Sequence, residues 1–209
     1  MKIMWVLILF IATIAMEGNS MDNGNKRVAK SANDICPLKI GEKVPFENLL
    51  TIEGEEINIR DLVIGKKSVL IFYRGGWCPY CNLHLSELVQ IEDSLVKLGY
   101  TIIAISMDKP EKLRSTLEKH NMNYEIYSDS KADVCTAFGI AFTVDDEYVQ
   151  KLKSFNMDIE ESSGQTNHIL PVPSAFIVDE NGIILFEYVN PDYKTRIKGD
   201  ILLEVAKRI

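Results

Sequence analysis

The sequence predicts one α/β domain in which a central mixed sheet is flanked by helices. Three observations predict it. Val69-Leu70-Ile71-Phe72-Tyr73 is an uninterrupted β-branched and aromatic run, the pattern of a strand buried on both faces of a sheet. Cys81, Leu85, Leu88, Ile91, Leu95 and Leu98 then recur at spacings of three and four, which makes an amphipathic helix closed by Gly99. Thr101-Ile102-Ile103-Ala104-Ile105 follows as a second buried strand, and the three together form a β-α-β unit.

The remaining elements follow in chain order. Residues 1–20 have the basic start (Lys2) and short apolar run of an export signal, too short to span a bilayer comfortably. Cleavage is expected after Ala15 or Ser20; an uncleaved membrane anchor is the alternative. Residues 21–40 read as a polar linker, disordered in part, and residues 41–209 as the folded domain. Glu53-Gly54 marks a small hairpin in an N-terminal extension. Beyond the β-α-β unit, Asp108 and Pro110 open a polar helix that runs to about His120. Residues 124–127 are a short strand, and helical stretches near 131–138 and 145–155 form an insertion. Residues 174–179 and 183–188 flank Glu180-Asn181-Gly182 as a β-hairpin, and a helix over about 197–208 ends the chain.

A chain of 209 residues with 46% hydrophobic side chains builds one well-buried core and is short for two. Its formal charge of −7 excludes a phosphate-backbone partner, which needs clustered Lys and Arg, so no nucleic acid is expected. The cysteines at 36, 78, 81 and 135 are too few to staple the fold, which rests on its core.

The chemistry is predicted at Trp77-Cys78-Pro79-Tyr80-Cys81. A strand entering a helix through Gly75-Gly76 places Cys78 at the helix N-terminus, where unpaired amides and the positive dipole end favour a thiolate. Cys81, one helical turn on, is in reach to resolve a mixed disulfide on Cys78. Pro79 suits the first turn, where its missing donor costs nothing. No second Cys or His pair at ligand spacing accompanies His84 to make a zinc site, and Asn82 stands where a c-type haem needs His. No metal is expected, and no cofactor beyond a redox-active disulfide.

The run from Phe72 through Tyr73-Arg74-Gly75-Gly76-Trp77-Cys78-Pro79-Tyr80-Cys81-Asn82-Leu83, with Leu170-Pro171-Val172-Pro173-Ser174-Ala175 and Asp179-Glu180-Asn181-Gly182 downstream, resembles the peroxiredoxin-like group of the alkyl hydroperoxide reductase/thiol-specific antioxidant superfamily. The resemblance covers about residue 41 to the C-terminus. It implies a thioredoxin fold with an N-terminal extension and a peroxiredoxin-type insertion. It also implies that Pro173 matches the thioredoxin cis-proline, with Val172 pairing to a substrate backbone, and that Trp77, Pro79 and Tyr80 shape the contact surface. Two departures stand out. Aligned on Cys81, the motif P-x-x-x-T-x-x-C has Arg74 in place of Pro and Cys78 in place of Thr, and Pro173 falls about where the family's later Arg would stand.

These departures rank an exported thiol-disulfide oxidoreductase first, acting on protein disulfides and leaning toward reduction. A thiol-dependent peroxidase acting on hydroperoxides comes second, and a non-catalytic thioredoxin-fold interaction module third. Either enzyme needs electrons from a thioredoxin-type protein or a membrane thiol reductase. Arg74 is a candidate support for the Cys78 thiolate. Cys135 is a candidate auxiliary thiol or a bridge partner of Cys36, with a plain buried residue as its simpler reading. His84, His120 and His168 receive no role.

Overall fold

The computed structural model describes residues 27–120 and 122–209. The expected export signal lies outside these residues. A 3-10 turn, Ala32–Asp34, precedes β1 (Asn48–Leu50), β2 (Glu56–Asn58), α1 (Ile59–Val63), β3 (Lys67–Tyr73), α2 (Pro79–Lys97), β4 (Tyr100–Ser106) and α3 (Pro110–His120). There follow β5 (Glu125–Ser128), α4 (Asp133–Ala137), β6 (Ala141–Thr143), α5 (Asp146–Ser154), α6 (Ile159–Ser163) and β7 (Ile169–Pro171). The chain closes with β8 (Ser174–Val178), β9 (Ile184–Val189) and α7 (Gly199–Ala206).

Seven strands form the main sheet in the order β2-β1-β5-β4-β3-β8-β9. It is mixed: β3 runs parallel to β4 and β4 to β5, while β8 lies antiparallel against β3. The uninterrupted apolar run of β3 has a direct cause. Its alternate residues feed two cores, Leu70 and Phe72 on one face and Val69, Ile71 and Tyr73 on the other. The first core stacks Phe72, Phe138 and Phe176, with centroids 4.8 and 5.9 Å from Phe72. The second packs Cys81, Leu85, Leu88 and Leu95 of α2 with Leu202 and Ala206 of α7.

Two parts of the chain differ from expectation. Residues 29–38, read as linker, lie along the insertion: Ala29 N–H donates to Ala141 O at 2.9 Å and Leu38 N–H to Phe138 O at 3.0 Å. Leu38 is fully buried there, so one large apolar side chain is enough to seat a polar segment. The insertion also contains the β6–β7 pair, which no periodicity announces because each strand is three residues long.

Candidate active site

The site is built where β3 hands over to α2. Gly75 has φ +151°, and a Cβ on it would lie 2.3 Å from Trp77 Nε1 and 2.7 Å from Asp108 Oδ1. Gly76 donates its N–H to Asp108 Oδ2 at 2.6 Å. The turn therefore packs against the end of β4 with no room for side chains, and Cys78 emerges as the N-cap of α2, with Pro79 as the first helical residue.

The two sulfurs are driven apart chemically. Cys78 is lowered to about 6, first by the hydrogen bond from the Cys81 thiol, with burial opposing and the positive charges of Arg74 and then Arg196 assisting. Cys81 is pushed well above the ordinary thiol value, first by burial and then by the adjacent Cys78. At neutral pH Cys78 carries the charge and Cys81 the proton. Neither is open to solvent, at 2% and 0% exposure.

Arg74 is 2% exposed, and its guanidinium lies under three aromatic rings. Tyr193 is 4.4 Å, Trp77 5.0 Å and Tyr148 5.6 Å from it, and Nη2 donates to Tyr148 Oη at 2.9 Å. Tyr80, 40% exposed, meets Tyr193 edge-on at 5.7 Å. A cleft of about 290 Å³ opens beside Arg74, walled by Phe142, Tyr148, Pro171, Pro173 and Tyr193; neither active-site sulfur lines it.

Two expectations need correction. The Val172–Pro173 bond is trans, as are all bonds among the described residues. Val172 has also committed its single backbone donor: its N–H donates to Ile140 O at 2.8 Å, and its carbonyl accepts from Ser174 Oγ at 2.7 Å. The insertion occupies the place where a substrate strand would pair. Cys135 is not brought to the pair either. It is buried in the core on the other sheet face, its Sγ 3.9 Å from Met107 Sδ, and no disulfide joins it to Cys36.

Three further residues that the sequence left without a role belong to the site. Arg196 places Nη2 3.6 Å from Cys81 Sγ. Asp108, read only as a helix opener, is buried beneath the Gly75-Gly76 turn and raised to about 7, chiefly by burial. His84, buried one turn beyond Cys81, is lowered to about 4, first by burial and then by the charge of Arg196. The Lys194, Arg196 and Lys198 alternation looks like a solvated charge run in sequence, which is why Arg196 passed unnoticed.

A mixed thioredoxin-type sheet carrying an acidified helix-capping cysteine defines a thiol-based oxidoreductase. The chain belongs to the AhpC/TSA family, whose model matches residues 40–186. It is 33% identical to peroxiredoxin Bcp of Escherichia coli K12 over 171 residues, 82% of this chain and 97% of that protein. Its fold is similar to that of reduced Prx3 from Vibrio vulnificus in complex with hydrogen peroxide, with a TM-score of 0.67 and 18% identity over 81% of this chain and 96% of the other. Peroxidoxin BcpB of Mycobacterium tuberculosis is similar at a TM-score of 0.62 and 18% identity, over 82% and 98% of the two chains.

Proposed function

We propose that the protein is a thiol-dependent peroxidase in which Cys78 reduces a hydroperoxide, Cys81 resolves the product, and a thioredoxin-type dithiol restores the pair. The Cys78 thiolate attacks the terminal peroxide oxygen. An S–O bond forms, the O–O bond breaks, and the departing alkoxide takes a proton to leave as an alcohol. Cys81 then attacks the sulfenic sulfur; an S–S bond forms, and hydroxide leaves with the Cys81 proton as water. The external dithiol reduces the resulting disulfide and is itself oxidised.

The observation that carries this reading, over the protein-disulfide exchange ranked first from sequence, is the closed backbone of Val172. A peptide substrate finds its one donor already bonded to Ile140, whereas a small hydroperoxide needs only the thiolate. The 2% exposure of Cys78 points the same way, because a small oxidant reaches a recessed sulfur more readily than a protein disulfide does. Arg74, standing where the family motif has proline, supplies positive charge beside the thiolate. The resemblance to Bcp supports the same order of readings. Export, carried by Lys2 and the apolar run after it, remains part of the proposal and is tested by fractionating cells that express the full chain.

The test compares hydroperoxide consumption with insulin disulfide reduction by the full chain under a thioredoxin supply. Peroxide turnover well above that of dithiothreitol alone, with a dimedone adduct on Cys78 in Cys81→Ser, is the expected result. Fast insulin reduction with no peroxide turnover overturns it.

A further inference from the structure

We infer that Arg196 is a catalytic residue of the resolving half-reaction: its guanidinium donates to Cys81 Sγ and stabilises the negative charge that sulfur acquires as it attacks oxidised Cys78. The inference rests on the peroxidase reading and assigns a group that the family's cysteine motif does not contain.

Cys81 has the harder task of the pair. Its sulfur is fully buried, and the thiolate it must form is disfavoured by burial and by the neighbouring Cys78 charge. Tyr73 on β3 and Asp108 just beyond β4 also face it, and neither supplies positive charge; Arg74 presents its backbone there. Among the charged groups acting on Cys81, Arg196 is the one that favours the thiolate, with Nη2 at 3.6 Å.

The loop that carries Arg196 is built to hold it there. Asp192 accepts from Lys194 N and Thr195 Oγ1, both at 3.1 Å, closing a tight turn. Within that turn Arg196 Nη1 donates to the carbonyl of Tyr193 and, at 3.3 Å, to that of Thr195, while its Nε is buried without a partner. The loop is pinned on both sides. Tyr193 stacks on Arg74, Ile197 is buried in the core that it shares with α2, and Lys198 pairs with Glu87 at 3.2 Å. A guanidinium held by its own loop is oriented before the charge develops, the arrangement that makes electrostatic stabilisation effective.

The step balances as in the peroxidase cycle: Cys81 loses a proton, the S–S bond forms, and the Cys78 S–O bond breaks to release water. Arg196 donates a hydrogen bond throughout and transfers nothing.

The experiment is stopped-flow disulfide closure, read by Trp77 fluorescence and mass spectrometry after one equivalent of hydrogen peroxide, in the full chain and in Arg196→Gln and Arg196→Lys. Closure is expected to slow about tenfold in R196Q and to recover in part in R196K, while attack on peroxide slows less, because Arg196 is the smallest of the causes that acidify Cys78. Sulfinic acid on Cys78 rises correspondingly, because the sulfenic acid persists. Closure at the wild-type rate in R196Q, at an unchanged melting temperature, overturns the inference. A second arm uses no peroxide. Oxidised glutathione charges Cys78 and releases one glutathione; release of the second, from the mixed disulfide, reads the attack of Cys81. If wild-type protein consumes no peroxide, the peroxidase reading fails, yet slower glutathione release in R196Q still upholds the role of Arg196, and equal release refutes it.

Discussion

Gly76 donates its backbone N–H to Asp108 Oδ2 at 2.6 Å, which ties the turn before Cys78 to the end of β4 through a buried carboxyl. Burial raises that carboxyl from its ordinary value to about 7. The folded state therefore holds a proton between pH 4 and 7 that the unfolded chain has released. Stability from this group is full below about pH 4 and is lost as pH rises toward 7. Asp108→Asn keeps an acceptor for Gly76 and removes the titration. The stability difference between variant and wild type, measured by urea unfolding, is expected to move in the variant's favour by on the order of 3 kcal/mol from pH 4 to 7. Asp129, also raised to about 7 by burial, is present in both proteins and cancels. A flat difference refutes the assignment.

The acidity of Cys78 is predicted to have ranked sources. The hydrogen bond from Cys81 comes first and the charge of Arg74 after it. The rate of peroxide attack against pH should rise to a plateau with a midpoint near 6 in wild type. Arg74→Met shifts the midpoint upward and lowers the rate at pH 7 by about threefold to tenfold; Cys81→Ala shifts it further. The reverse order of the two variants would show that Arg74, and not the partner thiol, dominates.

The sequence was most legible where one physical requirement decides each residue. Val69 to Tyr73 must be apolar on both sides because each face of β3 meets a core, and the Gly75-Gly76 turn delivers Cys78 to the N-cap position of α2. Arg196 was not legible. It lies 115 residues from Cys81 in the chain and becomes a site residue only when the loop after β9 returns over α2. Val172 was misjudged for a related reason: what blocks it is Ile140, from an insertion whose short strands leave no periodic trace. Contacts created by return of the chain are invisible to spacing and must be seen in space.

The Gly75 position is predicted to tolerate no side chain. Its φ of +151° is unfavourable for any L-residue, and an added Cβ would sit 2.3 Å from the Trp77 ring. Gly75→Ala should destabilise the fold by more than about 2 kcal/mol, through strain and displacement of Trp77. Chemical unfolding followed by Trp77 fluorescence reads both effects at once: a lower midpoint and an altered native emission. A native-like spectrum at wild-type stability would show that the turn is loose.

Tyr148 is predicted to hold Arg74 in two separable ways, through its hydroxyl at 2.9 Å and through its ring at 5.6 Å. Tyr148→Phe removes only the first. It leaves one buried guanidinium donor unpaired, beside an Nε that already lacks a partner, so a loss of about 1 to 2 kcal/mol is expected. The Arg74 charge stays beside Cys78 under the rings of Trp77 and Tyr193, so the pH midpoint of peroxide attack should hardly move. Tyr148→Ala removes the ring as well, opens the wall of the 290 Å³ cleft and lets water reach the guanidinium. Screening by that water weakens the pull of Arg74 on the thiolate, and the midpoint should rise toward that of Arg74→Met. Equal midpoints in the Phe and Ala variants would mean that the ring does not shield Arg74, and that the charge reaches Cys78 regardless of what covers it.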